Sequence, residues 1–231
     1  MRVKRIICFM ALAALLPAVA RASDTDRDAY AGRLTALLRA GQMESGDRQA
    51  RLLNESERAF VNFAQEYPDS IYADDSLFVY SLIEFMGAAL VPPRDMDTAR
   101  QMIVMMDRMA AQYPGGRLEP LTYSVLEREL GQDGLSGSFY MPYGCVVSYM
   151  RAVLCGAERN YMEAIQRYNE LRLCLRPIED ERIAAEVYIP LFRAYLKTER
   201  SASAQAIADE VSQLFPGSRL QAILRSESGR E

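Results

Sequence analysis

The chain has 231 residues, 50% of them hydrophobic and 25% charged, with 13 Gly and 10 Pro, a balance that supports a buried core and excludes disordered, collagenous and fibrous classes. Histidine is absent, which removes Ser-His-Asp and Cys-His nucleophile systems, HExxH metalloproteases and His-ligated zinc, copper or haem. The net charge of −4, from 27 basic and 31 acidic residues with no basic block past the first few positions, argues against a phosphate backbone as partner, so no nucleic acid is expected.

Residues 1–22 read as a cleaved secretory signal. Arg2, Lys4 and Arg5 form the positive head, Ile6 to Leu16 the uncharged apolar run, and Pro17 precedes small-x-small exits that place cleavage after Ala20 or Ala22, with Ala22 preferred. The run is shorter than the roughly 20 residues that span a bilayer. Cys8 lies inside it without cleavage-site spacing, so it is not read as a lipid-attachment residue. Cleavage removes four basic residues (Arg2, Lys4, Arg5, Arg21) and no acidic one, which takes the net charge from −4 to −8. The expectation is a periplasmic or secreted protein with no membrane span.

Beyond the leader the apolar positions keep a helical period, with no hairpin signal, and predict an all-α fold. An N-terminal helical segment occupies 23–50. Helix pairs follow over 51–130, with stripes at Phe60, Phe63, Ala64 and Tyr67, at Phe78, Leu82, Phe85, Met86 and Ala89, and at Met102, Met105, Met106, Met109 and Tyr113. Residues 131–144 form a loop with four glycines and no helical stripe; it is read either as an inserted joint or as a binding loop presenting Phe139, Tyr140 and Tyr143. Further helix pairs fill 145–226, with stripes from Tyr161 to Leu175, Val187 to Tyr195 and Ala204 to Phe215, and 227–231 is a tail.

Four helices close on an aromatic or arginine followed by proline: Tyr67-Pro68-Asp69-Ser70, Tyr113-Pro114-Gly115-Gly116, Arg176-Pro177-Ile178-Glu179 and Phe215-Pro216-Gly217-Ser218. Proline cannot continue the helix it follows but tolerates the first turn of the next, so each phrase predicts a sharp helix-turn-helix joint. Asn160-Tyr161-Met162-Glu163-Ala164-Ile165 with Tyr168 resembles the first helix of a tetratricopeptide repeat. Residues 59–76 and 203–220 resemble the variant of that repeat in bacterial envelope proteins, as in the outer-membrane barrel-assembly subunit and the Tol-Pal periplasmic coordinator. The resemblance implies tandem antiparallel helix pairs in a TPR-like superhelix, with the first helices lining a concave face that takes a protein or peptide partner. On that basis Tyr161, Arg167 and Tyr168 join the loop aromatics as candidate contacts of a scaffold or adaptor in envelope assembly or maintenance.

Three cysteines remain after the leader. In one helix, Cys145 and Cys155 stand about 15 Å apart, and Cys155 and Cys174 occupy opposite ends of the returning helix, so Cys145–Cys174 is the feasible disulfide; three buried thiols are the alternative. Met96, Met102, Met105, Met106 and Met109 offer soft ligands, which makes a periplasmic metal or small-ligand carrier the competing reading, although four of them share a stripe that core packing explains. Asn54-Glu55-Ser56 lacks the rest of a lytic-transglycosylase signature. Asp74-Asp75 and Glu179-Asp180-Glu181 fit helix starts, where negative charge complements the dipole. No catalytic residue, metal ligand or cofactor is expected.

Overall fold

The computed structural model describes residues 23–43, 47–113, 115–131 and 135–228; the leader lies outside them, as do 229–231 of the tail. The described residues form ten α-helices and no strand: α1 Asp24–Gln42, α2 Asp47–Glu66, α3 Ala73–Leu90, α4 Met96–Gln112, α5 Pro120–Leu130, α6 Tyr143–Ala157, α7 Tyr161–Cys174, α8 Glu181–Lys197, α9 Ser201–Leu214 and α10 Arg219–Ser228, with a 3-10 turn at Gly137–Tyr140 between α5 and α6. Side chains set several starts. Ser23 and Asp26 form a capping box on α1, and Asp95, Asn160 and Asp180 cap α4, α7 and α8. The N-terminal segment is part of the packed body, since Tyr30 and Leu34 of α1 are fully buried.

Consecutive helices pack on one another from α1 to α4 and from α6 to α10, and α4 packs directly on α6. A second set of contacts joins α3 to α6, α6 to α8 and α8 to α10, so these four lie side by side in one row. The turns repeat as well. Arg159 (φ 61°) closes α6 and Glu199 (φ 57°) closes α8 in left-handed conformation, and the next amide reaches back five residues in both, Asn160 N–H to Cys155 O and Arg200 N–H to Tyr195 O, each at 2.9 Å. That is the helix-ending geometry usually assigned to glycine. α7 is the second member of the α6–α7 hairpin that the Arg159 turn joins.

One element breaks the order. After α4 the chain does not place α5 where α6 sits; α5 runs back to pack on α1, and the 3-10 turn packs on α8. A buried carboxylate fastens this excursion. Asp75, in the first turn of α3 and 0% exposed, accepts Tyr143 Oη–H of α6 at 2.9 Å, the Glu119 N–H at the start of α5 at 2.9 Å, and the Thr122 hydroxyl. Thr122 Oγ1 also lies 2.9 Å from Tyr30 Oη of α1; having one proton, which it gives to the carboxylate, it accepts from Tyr30. Three helices thus meet at one side chain, and α1 joins them through Thr122. Tyr30 stacks on Tyr72 and Tyr143 on Phe78, which closes the polar group off from water. A lesser version of the device recurs where Glu181, in the first turn of α8, accepts the Leu220 N–H of α10 at 3.0 Å.

The far end of the excursion is equally close-packed. Tyr140 stacks on Tyr123 of α5, donates to Glu127 at 2.9 Å, accepts from Arg182 of α8 at 2.7 Å and lies under that guanidinium, 3.9 Å from ring centroid to Cζ. Ser136 donates to Glu186 of α8, which also accepts Tyr149 Oη–H. Gly137 lies so near α8 that an added Cβ would stand 2.3 Å from the Arg182 carbonyl oxygen. Gly137→Ala is therefore expected to lose about 2–3 kcal/mol, the upper range for overpacking against an element that cannot yield. Gly144→Ala, with open space around it, changes stability by at most about 1 kcal/mol; urea denaturation of both compares them.

Burial raises Asp75 to about 7, against the lowering effect of the Thr122 bond, with further upward pressure from the Asp74 charge, and burial likewise lifts Asp74 to about 6. Both folded values lie above the ordinary 3.8. The native state therefore holds protons that the unfolded chain has released, and the stability these groups contribute is full below pH 4 and lost as pH rises through 6 to 7. The amide of Asp75→Asn keeps one acceptor and gives Tyr143 a donor instead. The urea midpoint of the wild type is expected to fall between pH 5 and pH 8 by clearly more than that of Asp75→Asn.

Candidate functional site

The residues singled out in the sequence do not come together on one surface. Phe139 is 8% exposed and Tyr143 0%, and Tyr140 is half-buried beneath Arg182, so the aromatics of 131–144 belong to the core and the α8 contact rather than to a partner-facing loop. The physical reason is the 3-10 turn, which folds the glycine-rich segment inward. Tyr168 is 3% exposed on α7, Tyr161 is half-buried against the core, and Arg167 is engaged by Glu163 and Glu170 on its own helix. Met102, Met106 and Met109 are 0–4% exposed and face the core, with Met96 and Met105 packed partly against it. Among the described residues no group of three or more Cys, Asp or Glu is arranged to hold a metal.

Cys145 and Cys174 form a disulfide with Cα atoms 5.9 Å apart, and Cys155 is a buried free thiol whose pKa burial raises. The bridge ties the start of α6 to the last residue of α7 at the end of the hairpin opposite the Arg159 turn. It thereby fixes the point from which the chain leaves toward α8.

Beyond that point lies the strongest candidate, a groove of about 350 Å³ lined by Arg172 of α7, Arg176, Pro177 and Ile178 of the joint, Tyr188 of α8, and Glu210 and Leu214 of α9. Its floor is locked. Arg172 pairs through Nη2 with both Glu210 oxygens, gives its other nitrogen to Asn169 at 3.0 Å, and has its Cζ 5.3 Å from the centre of the Tyr188 ring. Tyr188 in turn donates to Glu210 at 2.9 Å. Burial works to lower the Arg172 pKa, but the bond and charge of Glu210 outweigh it and the group stays a cation. The walls are apolar, from Pro177 and half-buried Ile178 on one side to Leu214, 51% exposed, on the other. Arg176 stands exposed on the rim and makes no hydrogen bond or ion pair with the described residues.

Sequence reasoning passed over this groove because its parts are 42 residues apart in the chain and none forms a motif. The available signal was the third joint, the only one of the four in which arginine rather than an aromatic precedes proline. A second hollow, between α9 and α10, is lined mostly by polar groups (Gln205, Asp209, Ser212, Gln213, Arg225), as suits the outer face of a terminal helix. No helix described is long and apolar enough to cross a membrane. No family model matches this chain, and no curated protein or solved structure is similar to it.

The disulfide closes a loop of sequence separation 29, for which chain entropy gives about 3–4 kcal/mol. Replacing Cys145 and Cys174 together by alanine is expected to lower unfolding free energy by about 2–4 kcal/mol in urea titration, without loss of helical circular dichroism.

Proposed function

We propose that the chain is an exported, TPR-like helical scaffold that binds a protein or peptide partner in cell-envelope assembly or maintenance, and that the partner seats in the groove at Arg176, Ile178 and Leu214. The side-by-side row of α3, α6, α8 and α10, the repeated turns at Arg159 and Glu199, and the aromatic-proline joints support the repeat reading. The leader-like residues 1–22 and the disulfide support export to an oxidising compartment, periplasmic or extracellular. The groove carries the binding reading, because it joins apolar walls to an unengaged cation over a floor that is already ordered and loses little entropy on binding.

The groove also moves the interaction away from the side that the resemblance implies. The excursion α5 with its 3-10 turn packs on α1 and on α8 and bonds to Asp75 of α3, and α3 and α8 belong to the row. A photo-crosslinking residue at Leu214, in cells producing the protein, is expected to give a discrete adduct. The same residue at Met162, 52% exposed at the other end of α7, is expected to give none. Equal labelling at both positions, or none at Leu214, would refute the groove assignment.

A further inference from the structure

The chemistry of the groove says what kind of segment it takes, on the reading that it is the partner site. Two of its three charged groups are spent on each other, since Arg172 and Glu210 saturate one another and Tyr188 completes the set. The third, Arg176, presents donors that nothing described in the chain accepts. It is therefore a local positive site on a chain with an overall acidic excess, beside Pro177, Ile178 and Leu214. Glu179 is on the same joint but does not line the groove.

We infer that the groove binds an extended peptide segment in which an acidic side chain neighbours apolar ones, the carboxylate engaging Arg176 and an apolar side chain lying between Ile178 and Leu214. The fork of the guanidinium matches a carboxylate better than a lysine would, and its exposure makes the contact one of selectivity and salt sensitivity more than of raw affinity. A basic segment is disfavoured at the same spot by like charge, and an uncharged apolar segment leaves Arg176 without a partner. The disulfide lies next to this site: Cys174, bridged to α6, precedes Arg176 by two residues.

The test uses the mature disulfide-bonded chain and three fluorescein-labelled, C-terminally amidated peptides: Gly-Asp-Leu-Phe-Gly, Gly-Asn-Leu-Phe-Gly and Gly-Lys-Leu-Phe-Gly. Amidation removes the terminal carboxylate, and the label is common to all three peptides, so the side chain at the second position is the only charge that differs among them. In fluorescence anisotropy at low salt the Asp peptide is expected to bind at least about fivefold more tightly than the Asn peptide, and the Lys peptide more weakly than both. That gap should vanish in Arg176→Gln and shrink at 0.3 M NaCl, and Leu214→Asp should abolish binding of all three while thermal unfolding of both variants stays near wild type. Equal binding of the Asp and Asn peptides, lost in Leu214→Asp, would overturn the acidic preference and leave the groove standing. A gap that survives in Arg176→Gln would also overturn it. Failure of every peptide to saturate the wild type at millimolar concentration would remove both the preference and the groove as a peptide site.

Discussion

The carboxylate of Asp75 is the constraint from which the architecture follows. It is fully buried and pairs with no cation among the described residues, yet it joins α3 to the starts of α5 and α6 directly and to α1 through Thr122. An unpaired charge in such a place would cost several kcal/mol, and two effects reduce that penalty. Three donors converge on its oxygens, one of them a backbone amide at the start of a helix where the dipole is positive, and burial shifts its titration upward so that proton uptake competes with ionisation. Hydrophobic contact alone would not define where α5 goes, because a short helix with Val125 and Leu126 on its inner face could pack on many apolar stripes. The directional bonds to Glu119 and Thr122 select one.

Once α5 is held on α1, the rest of the excursion has little freedom. The chain must return from Leu130 to the start of α6, and the 3-10 turn closes that distance by lodging against α8. Leu135, Phe139 and Met141 are buried on the way, so the segment is core rather than a removable cover. In a plain array of helix pairs the first helices would keep a free trough; here the chain's own residues occupy much of that side. Among the described residues one hollow lies between α9 and α10 and is mostly polar, and the groove between α7, α8 and α9 has apolar walls.

The sequence was readable where structure is local. Apolar stripes such as Phe78, Leu82 and Phe85, all 0% exposed, place the helices because a 3.6-residue period puts them on one face. The pairing of Cys145 with Cys174 was readable for the same reason, since helix length alone excludes the other two pairs. The return of α5 to α1 was not readable: it depends on Thr122 meeting Tyr30 across 92 positions, and neither residue is unusual in a helix. The sequence leaves the aromatics at 139–143 open between an inserted joint and a binding loop, because glycine-rich text lacks a periodic stripe and nothing local says that Phe139 and Tyr143 are buried. From the sequence, Asp74 and Asp75 are ordinary helix-start charges. Position in the first turn explains their presence, but burial, which gives them their importance, is set by α5 and α6.

The same contrast separates the two polar clusters by what each can do. Around Asp75 every donor is committed, and the cluster spends its chemistry on fixing topology. Around Arg172 the pairing is just as complete, but it occurs at the edge of the body, between α7, α8 and α9, and one residue past the disulfide-held helix end leaves a charge unanswered. A satisfied network beneath an unsatisfied group is the arrangement that gives a rigid binding surface, because the floor needs no rearrangement when a ligand carboxylate arrives. Where helix ends are left to fray, a lone exposed arginine samples many positions and selects little. Here the bridge from Cys174 to Cys145 and the Arg172–Glu210 pair tie down the end of α7, two residues before Arg176.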